Sequence, residues 1–209
     1  MRIYQRFKKN LKKVLSNYYN GKALNSILFD IHLECDRLAH QVPHIGGIKN
    51  PFYANMLFES VLGLALYKTL TKKGMQVEDI GRILLETFTA RVYSWPRSLR
   101  RIINLLLFSD PVRLILKRRA DESRKRLNNS DWVLEYVEGN DEDYEYGVDY
   151  LECAICKLYH AHDADEMIKY NCQCDFTLSD ALGWGLVRTM TIADGDKKCD
   201  FRFKRGNVK

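Results

Sequence analysis

Glycine and proline are scarce in this chain, which has 12 glycines and 4 prolines among 209 residues. Collagen-like repeats and disordered Pro- and Gly-rich segments need far more of both, and no internal repeat or low-complexity segment occurs. No run of about 18 uncharged apolar residues is present, so no membrane-spanning helix is predicted. Hydrophobic residues make up 46% of the chain and charged residues 29%. These proportions predict a soluble globular protein.

The first residues lack the pattern of a secretory signal, because charged and apolar side chains interleave from Arg2 to Lys9. We therefore expect a cytoplasmic protein. In that compartment cysteines stay reduced, so the six cysteines are expected to be thiols, metal ligands or nucleophiles and not a disulfide framework. Cys35 stands alone on an apolar helix face and is expected in the core. The other five lie within the last 57 residues.

Charge is divided unevenly along the chain. Residues 1–130 carry 24 lysines and arginines against 10 acidic residues, whereas residues 131–209 carry 9 against 17. The opposite signs favour two lobes that attract each other. The alternative is a basic surface for nucleic acid or an anionic membrane, which rests on charge alone, and we expect no nucleic-acid partner. The residues of such a surface would be Arg97, Arg100, Arg101, Arg113, Lys117, Arg118 and Arg119.

The hydrophobic period changes near residue 130. Before it, apolar residues recur at helical spacing, and Asp110-Pro111 has the pattern of an N-cap followed by proline at the first helical position. After it the period is two, apart from residues 154–182, which are expected to form a helix and a loop. The predicted strands cover residues 132–137, 145–153, 185–193 and 198–203.

These patterns predict an α+β protein. A helical lobe at 1–130 packs on an α+β lobe at 131–209, whose antiparallel sheet of about four strands is crossed by a helix. The two lobes can also pack as one compact domain. The oligomeric state does not follow from the sequence.

Arg188 stands among apolar residues in the third predicted strand, where it alternates with Leu186 and Met190. A guanidinium on the apolar side of a sheet needs a partner. Either an internal carboxylate such as Glu152 or Asp175 pairs with it, or it binds the carboxylate of a ligand with two parallel hydrogen bonds. The pattern leaves both alternatives open.

The clustered thiols are Cys153, Cys156, Cys172, Cys174 and Cys199. Short-spaced thiolate pairs from two or more chain segments can supply the four tetrahedral ligands of zinc. Against this, the Cys172-x-Cys174 spacing is unusual for a zinc knuckle, and Cys199 is predicted to face the core with Phe201 and Phe203. A metal site, inert buried thiols and a catalytic thiol are therefore all open interpretations.

No phosphate-binding loop, dinucleotide fingerprint, nucleophile elbow or His-Glu-x-x-His motif occurs. The motifs present are Glu152-Cys153, Cys172-x-x-Asp175, Arg188-Thr-x-Thr-Ile-Ala-x-Gly-Asp196 and Cys199-Asp-Phe-x-Phe203. In these residues the chain resembles the L-2-amino-thiazoline-4-carboxylic acid hydrolase family. The resemblance covers residues 130–204 well and the helical half only in general character. The layout is also similar to 4-vinyl reductase-type domains, which bind small molecules or metals on an α+β sheet.

The hydrolase resemblance implies a small-molecule substrate, a five-membered cyclic amidine with a carboxylate, which is opened to a carbamoyl-cysteine by hydrolysis at a C–N bond. It assigns Arg188 and Thr191 to substrate binding. It assigns Asp175 to general acid or base catalysis and Cys172 to attack on the ring carbon, directly or through an activated water. Arg188, Asp175 and Cys172 are therefore expected to reach one pocket.

No cofactor is required in this mechanism. In its alternative form, zinc held by Cys153, Cys172 and Cys199 activates the attacking water, and these three thiols are expected to lie near one another. The competing function is a non-enzymatic sensor domain of 4-vinyl reductase type, which binds a small molecule or a metal without turnover.

Overall fold

The computed structural model describes residues 2–43, 51–140 and 142–209. Within these ranges the chain is mostly helical and ends in a small antiparallel sheet. The first six helices are α1 Arg2–Leu15, α2 Gly21–Ala39, α3 Pro51–Leu70, α4 Val77–Tyr93, α5 Arg97–Leu107 and α6 Asp110–Ser123. They are followed by β1 Val133–Glu138, β2 Tyr146–Glu152, α7 Ala154–His160, α8 Ile168–Leu182 and β3 Cys199–Phe203.

Helix α3 is apolar nearly all round because it lies at the centre of the helical half. Leu62 and Leu64 point to different sides of this helix, and both are fully buried. Helices α1, α2, α4 and α7 all pack against α3. Cys35 is buried on α2, as predicted. No described helix combines the length and the apolarity that crossing a membrane requires, and the cytoplasmic location stays a prediction.

Helix α6 begins one residue earlier than the sequence pattern indicates. Asp110 is its first residue, Ser109 occupies the N-cap position, and Pro111 lies in the first turn. Residues 154–182 form two helices, α7 and α8, where one helix and a loop are predicted. Helix boundaries of this kind depend on hydrogen bonds that the apolar period does not encode.

Among the described residues, the sheet has three strands in the order β1-β2-β3, each antiparallel to its neighbour. This confirms the α+β class. Helix α8 faces the sheet, since its Asp175 and Leu178 line a small cavity together with Val148 and Tyr150 of β2. The predicted crossing helix is therefore α8.

The predicted fourth strand at 185–193 is wrong. Val187 alone makes a bridge, with Arg202 of β3, through two backbone hydrogen bonds of 2.9 Å. Beyond that pair, the side-chain carboxylate of Asp200 accepts the amides of Thr189 and Met190. The Asp200 amide donates to the Met190 carbonyl at 3.4 Å, so one long backbone bond and a side-chain acceptor stand where a regular ladder would have paired backbone bonds.

The segment then enters a 3-10 helix at Ile192–Asp194 and turns at Gly195, whose φ is 93°. Exposure nevertheless alternates in its first residues: Val187 and Thr189 are exposed, and the side chain of Arg188 between them is buried. The alternation that predicts a strand is therefore present, but only the Val187–Arg202 pair has the hydrogen bonds of a regular ladder.

Ion pairs connect the basic helices to the acidic part of the chain. Arg113 of α6 lies 2.8 Å from Glu145, and the buried Arg119 lies 3.1 Å from Asp131. Three further pairs are Lys117–Glu138, Arg124–Glu135 and Arg126–Glu152. One hydrophobic cluster includes residues from both halves. The division into lobes at 1–130 and 131–209 stays a prediction.

Candidate functional site

The guanidinium of Arg188 is paired inside the protein with Asp175. Arg188 Nη1 donates to Asp175 Oδ2 at 2.9 Å, and Nη2 donates to the backbone carbonyl of Cys172 at 3.3 Å. The Arg188 side chain is only 7% exposed, and its guanidinium carbon lies 4.8 Å from the ring centre of Phe176 and 5.1 Å from that of Phe201. Of the alternatives that the sequence leaves open, the structure shows the internal carboxylate Asp175.

The turn after α8 brings Arg188 back to Asp175. Gly183 and Gly185 have φ values of 68° and 53°, in the left-handed region that glycine adopts without steric cost. Ser179 holds the returning segment, because its Oγ accepts the amide of Leu186 at 2.9 Å. The chain therefore reverses direction and runs back along the helix.

Asp175 lies in the wall between two cavities. The larger has a volume of about 260 Å³ and is bounded by α1, α3, α4, α7 and α8. The smaller, of about 70 Å³, lies between α8 and the sheet. Apolar side chains make up most of both linings, and neither lining includes Arg188 or Cys172. Of the three residues expected to share a pocket, Asp175 alone reaches these cavities.

Two arginines share one glutamate at the larger cavity. Arg6 Nη1 and Arg91 Nη2 lie 2.9 and 3.1 Å from the same oxygen of Glu59, Oε1. Arg91 Nη1 also donates to the backbone carbonyl of Arg6 at 3.1 Å, and Arg6 donates to the side chain of Asn55. These three charged side chains leave one positive charge in excess, which a ligand carboxylate can neutralise.

The carboxyl of Asp175 titrates close to neutral pH. Burial raises the pKa of Asp175 to about 6, while the charge of Arg188 and its hydrogen bond oppose this rise. Both protonation states are therefore accessible near pH 7, as general acid–base catalysis requires.

The thiols differ in their environments. Burial raises the pKa of Cys172 well above its ordinary value, and the nearby Asp175 raises it further. Cys153 behaves in the opposite way, because hydrogen bonds from the Cys156 thiol and from the amides of Cys156 and Ile155 lower its pKa against the effect of burial. The pKa of Cys156 is raised in turn. Cys153 therefore ionises to the thiolate more readily than Cys172. The sequence signal for such a thiol is the Cys-x-x-Cys spacing at the start of a helix.

Thr191 lies beside Cys199. The Cys199 thiol donates to Thr191 Oγ1 at 3.6 Å, and its sulphur accepts the amide of Ile192 at 3.2 Å. In the described ranges, no group of three or more His, Cys, Asp or Glu side chains is arranged to hold a metal ion. Zinc at Cys153, Cys172 and Cys199 stays a prediction without geometric support.

A family model for L-2-amino-thiazoline-4-carboxylic acid hydrolase matches residues 54–203, which is more than half of the chain. The chain belongs to this hydrolase family. The matched region contains the Asp175–Arg188 pair, together with Glu59 and Arg91 of the larger cavity, whereas Arg6 lies outside it. No curated protein and no solved structure matches the chain.

The charged residues of the larger cavity are not evident from the sequence of this hydrolase-family chain. Asn55 and Glu59 stand four residues apart on α3, so a polar stripe on an otherwise apolar helix is a usable signal. Arg6 and Arg91 come from two other helices. No local pattern connects either of them to Glu59.

Proposed function

We propose that this protein hydrolyses a small cyclic amidine that bears a carboxylate, of the 2-amino-thiazoline-4-carboxylate class, in its larger cavity. Family membership supports a hydrolase in general. The observation that carries the proposal is the Asp175 carboxyl, which has a pKa of about 6 and lies in the wall of a mostly apolar cavity that also presents two arginines. Small-molecule sites have this composition: apolar walls and a few placed polar groups.

The substrate carboxylate is assigned to Arg91 and Arg6. Their shared partner, Glu59, balances one of the two positive charges, and a second carboxylate balances the other. Arg188 is less suited to this role, because it is already paired with Asp175 and does not line the cavity. Arg188 is instead a positioning residue that holds the Asp175 carboxyl.

Asp175 is assigned to proton transfer. As a carboxylate it attracts the protonated amidine and removes a proton from a water that attacks the carbon between nitrogen and sulphur. As a carboxyl it then returns that proton to the leaving ring atom. One water is consumed. If the ring nitrogen leaves, the product has a free amine and a carbamoylated sulphur; if the sulphur leaves, the product has a free thiol.

Water is the proposed nucleophile in preference to Cys172. A direct thiolate attack requires Cys172 to lose a proton, which its buried surroundings disfavour. Cys172→Ala tests this choice, since it should retain turnover if water attacks and abolish it if the thiolate does.

The test of the function is turnover of L-2-amino-thiazoline-4-carboxylate, followed with a thiol reagent for opening at the C–S bond and an amine reagent for opening at the C–N bond. Asp175→Asn is expected to lower kcat by about 10²- to 10⁴-fold. Asp180→Asn is the matched control, because Asp180 lies on the same helix but forms a surface ion pair with Lys209. Unchanged turnover in Asp175→Asn contradicts the assignment. Ligand binding by the wild type without turnover favours the sensor function.

A further inference from the structure

Helix α5 turns its apolar side chains to solvent. Leu99, Ile102, Leu105 and Leu106 are between 43% and 59% exposed. The side of the helix that faces the protein carries the buried polar residues Arg100 and Asn104, together with Ile103 and Leu107, which pack against the core. A surface helix of a globular protein normally turns its apolar stripe towards the core, so four exposed aliphatic side chains on one helix are unusual.

Polar contacts fix this orientation. Asn104 Nδ2 donates to the backbone carbonyls of Leu182 and Gly183 at 2.7 and 2.8 Å, and Arg100 Nη1 donates to that of Ala181 at 3.5 Å. These carbonyls lie at the end of α8, where helical partners are lacking. Helix α5 is therefore held by capping α8 and by the packing of Ile103 and Leu107, while its other apolar side chains are exposed among the described residues.

The exposed apolar side chains continue onto the next helix. Helix α6 begins three residues after α5 ends and exposes Leu114 and Ile115 in its first two turns. We call these six side chains the α5–α6 apolar surface: Leu99, Ile102, Leu105, Leu106, Leu114 and Ile115. Clusters of exposed apolar side chains, unlike single ones, mark interaction sites.

The charges beside this surface are mainly basic. Helix α5 contains no acidic residue, and its exposed charged side chains are Arg97 and Arg101. Arg118 lies on the exposed side of α6. In the part of the chain that the structure describes, neither Arg101 nor Arg118 forms an ion pair. The acidic residues of α6 lie only at its two ends, at Asp110, Asp121 and Glu122.

We propose that the α5–α6 apolar surface docks on an anionic lipid bilayer. Its leucines and isoleucines enter the interface, while Arg97, Arg101 and Arg118 contact the headgroups. With 11 residues, α5 is about 16 Å long, far short of the roughly 30 Å hydrocarbon core, so it lies in the plane of the surface.

Charge and chemistry favour this occupant over two others. A second copy on the same face would bring the unpaired arginines of both copies together. A nucleic acid would neutralise the arginines but would leave six aliphatic side chains against phosphates and sugars. An anionic bilayer is complementary to both the cations and the apolar groups. This proposal is independent of the hydrolase activity.

The test is flotation of the full chain with vesicles of phosphatidylcholine alone or mixed with phosphatidylglycerol. Binding to the anionic vesicles is expected, and it should weaken as salt is added. Ile102→Asp with Leu106→Asp should lower the partition coefficient about tenfold or more. Phe29→Asp with Leu33→Asp on α2 is the control, because both side chains are similarly exposed away from this surface.

A second pair of variants tests the cations. Arg101→Glu with Arg118→Glu should abolish the preference for anionic vesicles, whereas Lys8→Glu with Lys9→Glu on α1 should preserve it. Leu105→Trp supplies a measurement that does not depend on an introduced charge. Its fluorescence emission, read as the difference from wild type, should shift to the blue when anionic vesicles are added.

Three results would overturn the proposal. The first is the absence of flotation with anionic vesicles, together with an unshifted Leu105→Trp emission. The second is an equal loss of binding in the α2 control pair. The third is self-association in analytical ultracentrifugation that Ile102→Asp removes, which would identify a second copy as the occupant. Circular dichroism confirms that each variant is folded.

Discussion

Arg188 donates a 2.9 Å hydrogen bond to Asp175 and so holds a buried carboxyl at the wall of the larger cavity. Burial and the arginine act in opposite directions on this carboxyl: burial favours the protonated form, and the guanidinium favours the ionised form. The result is a pKa of about 6, between that of an exposed aspartate and that of a fully desolvated one. The ion pair therefore sets the pH at which Asp175 can accept a proton.

Replacing Arg188 should move the pH profile of turnover. Asp175 acts first as a base, so kcat/KM should rise with pH around 6 in the wild type. Arg188→Met removes the group that lowers this pKa, and the midpoint of the rise should shift to higher pH. Arg188→Lys should shift it less, since a point charge keeps part of the interaction. Arg126→Met, which breaks a surface ion pair with Glu152, should leave the midpoint in place. A midpoint unmoved by Arg188→Met would show that Asp175 does not control the rate.

Replacing Arg91 should weaken substrate binding more than catalysis. A hydrogen bond to a charged group contributes about 1.5 to 3 kcal/mol, so Arg91→Gln should raise KM roughly tenfold to a hundredfold with little change in kcat. Steady-state kinetics give both constants. Arg82→Gln is the control, because Arg82 lies on the same helix but is exposed and paired with Asp79. An unchanged KM in Arg91→Gln would place the substrate carboxylate elsewhere.

Cys153 should be alkylated at lower pH than Cys172. Its lowered pKa gives it more thiolate at a given pH, whereas Cys172 stays protonated. Peptide mass spectrometry after timed treatment with iodoacetamide at several pH values measures both rates. Cys156→Ala removes the largest cause of the shift and should move the Cys153 profile to higher pH. Cys35→Ser is the neutral control. Faster labelling of Cys172 than of Cys153 would contradict the assigned environments.

Asn104 should contribute to stability through the end of α8. Asn104→Ala leaves the carbonyl of Leu182 without its side-chain donor and leaves that of Gly183 with the Gly206 amide alone. We expect the free energy of unfolding to fall by about 1 to 3 kcal/mol. Urea denaturation measures the change. Ser98→Ala, on the exposed side of the same helix, should change stability by less than about 0.5 kcal/mol. Equal effects from the two variants would mean that the hydrogen bonds of Asn104 to the end of α8 do not hold α5 in place.

The sequence by itself determined the features that depend on neighbouring residues. Helical periodicity before residue 130 and the change to a period of two after it gave the α+β class, and the apolar stripe of α2 placed Cys35 in the core. The motifs around Asp175 and Arg188 carried the family resemblance, which the match over residues 54–203 confirms. Local spacing suffices for these features because helices, strands and sequence motifs repeat or extend along the chain itself.

The tertiary structure alone decided the features that depend on distant residues. The 185–193 segment is not a regular strand, and Asp200, eleven residues from Thr189, supplies a side-chain acceptor where a strand would use the backbone. Glu59 joins Arg6 across 53 residues and Arg91 across 32, and no period relates such positions. The alternation of the sequence indicates that Arg188 needs a partner. The turn through the left-handed glycines after α8 brings it to Asp175 and not to Glu152. Packing fixes such pairs because a charge that is buried binds whichever opposite charge the fold brings within reach.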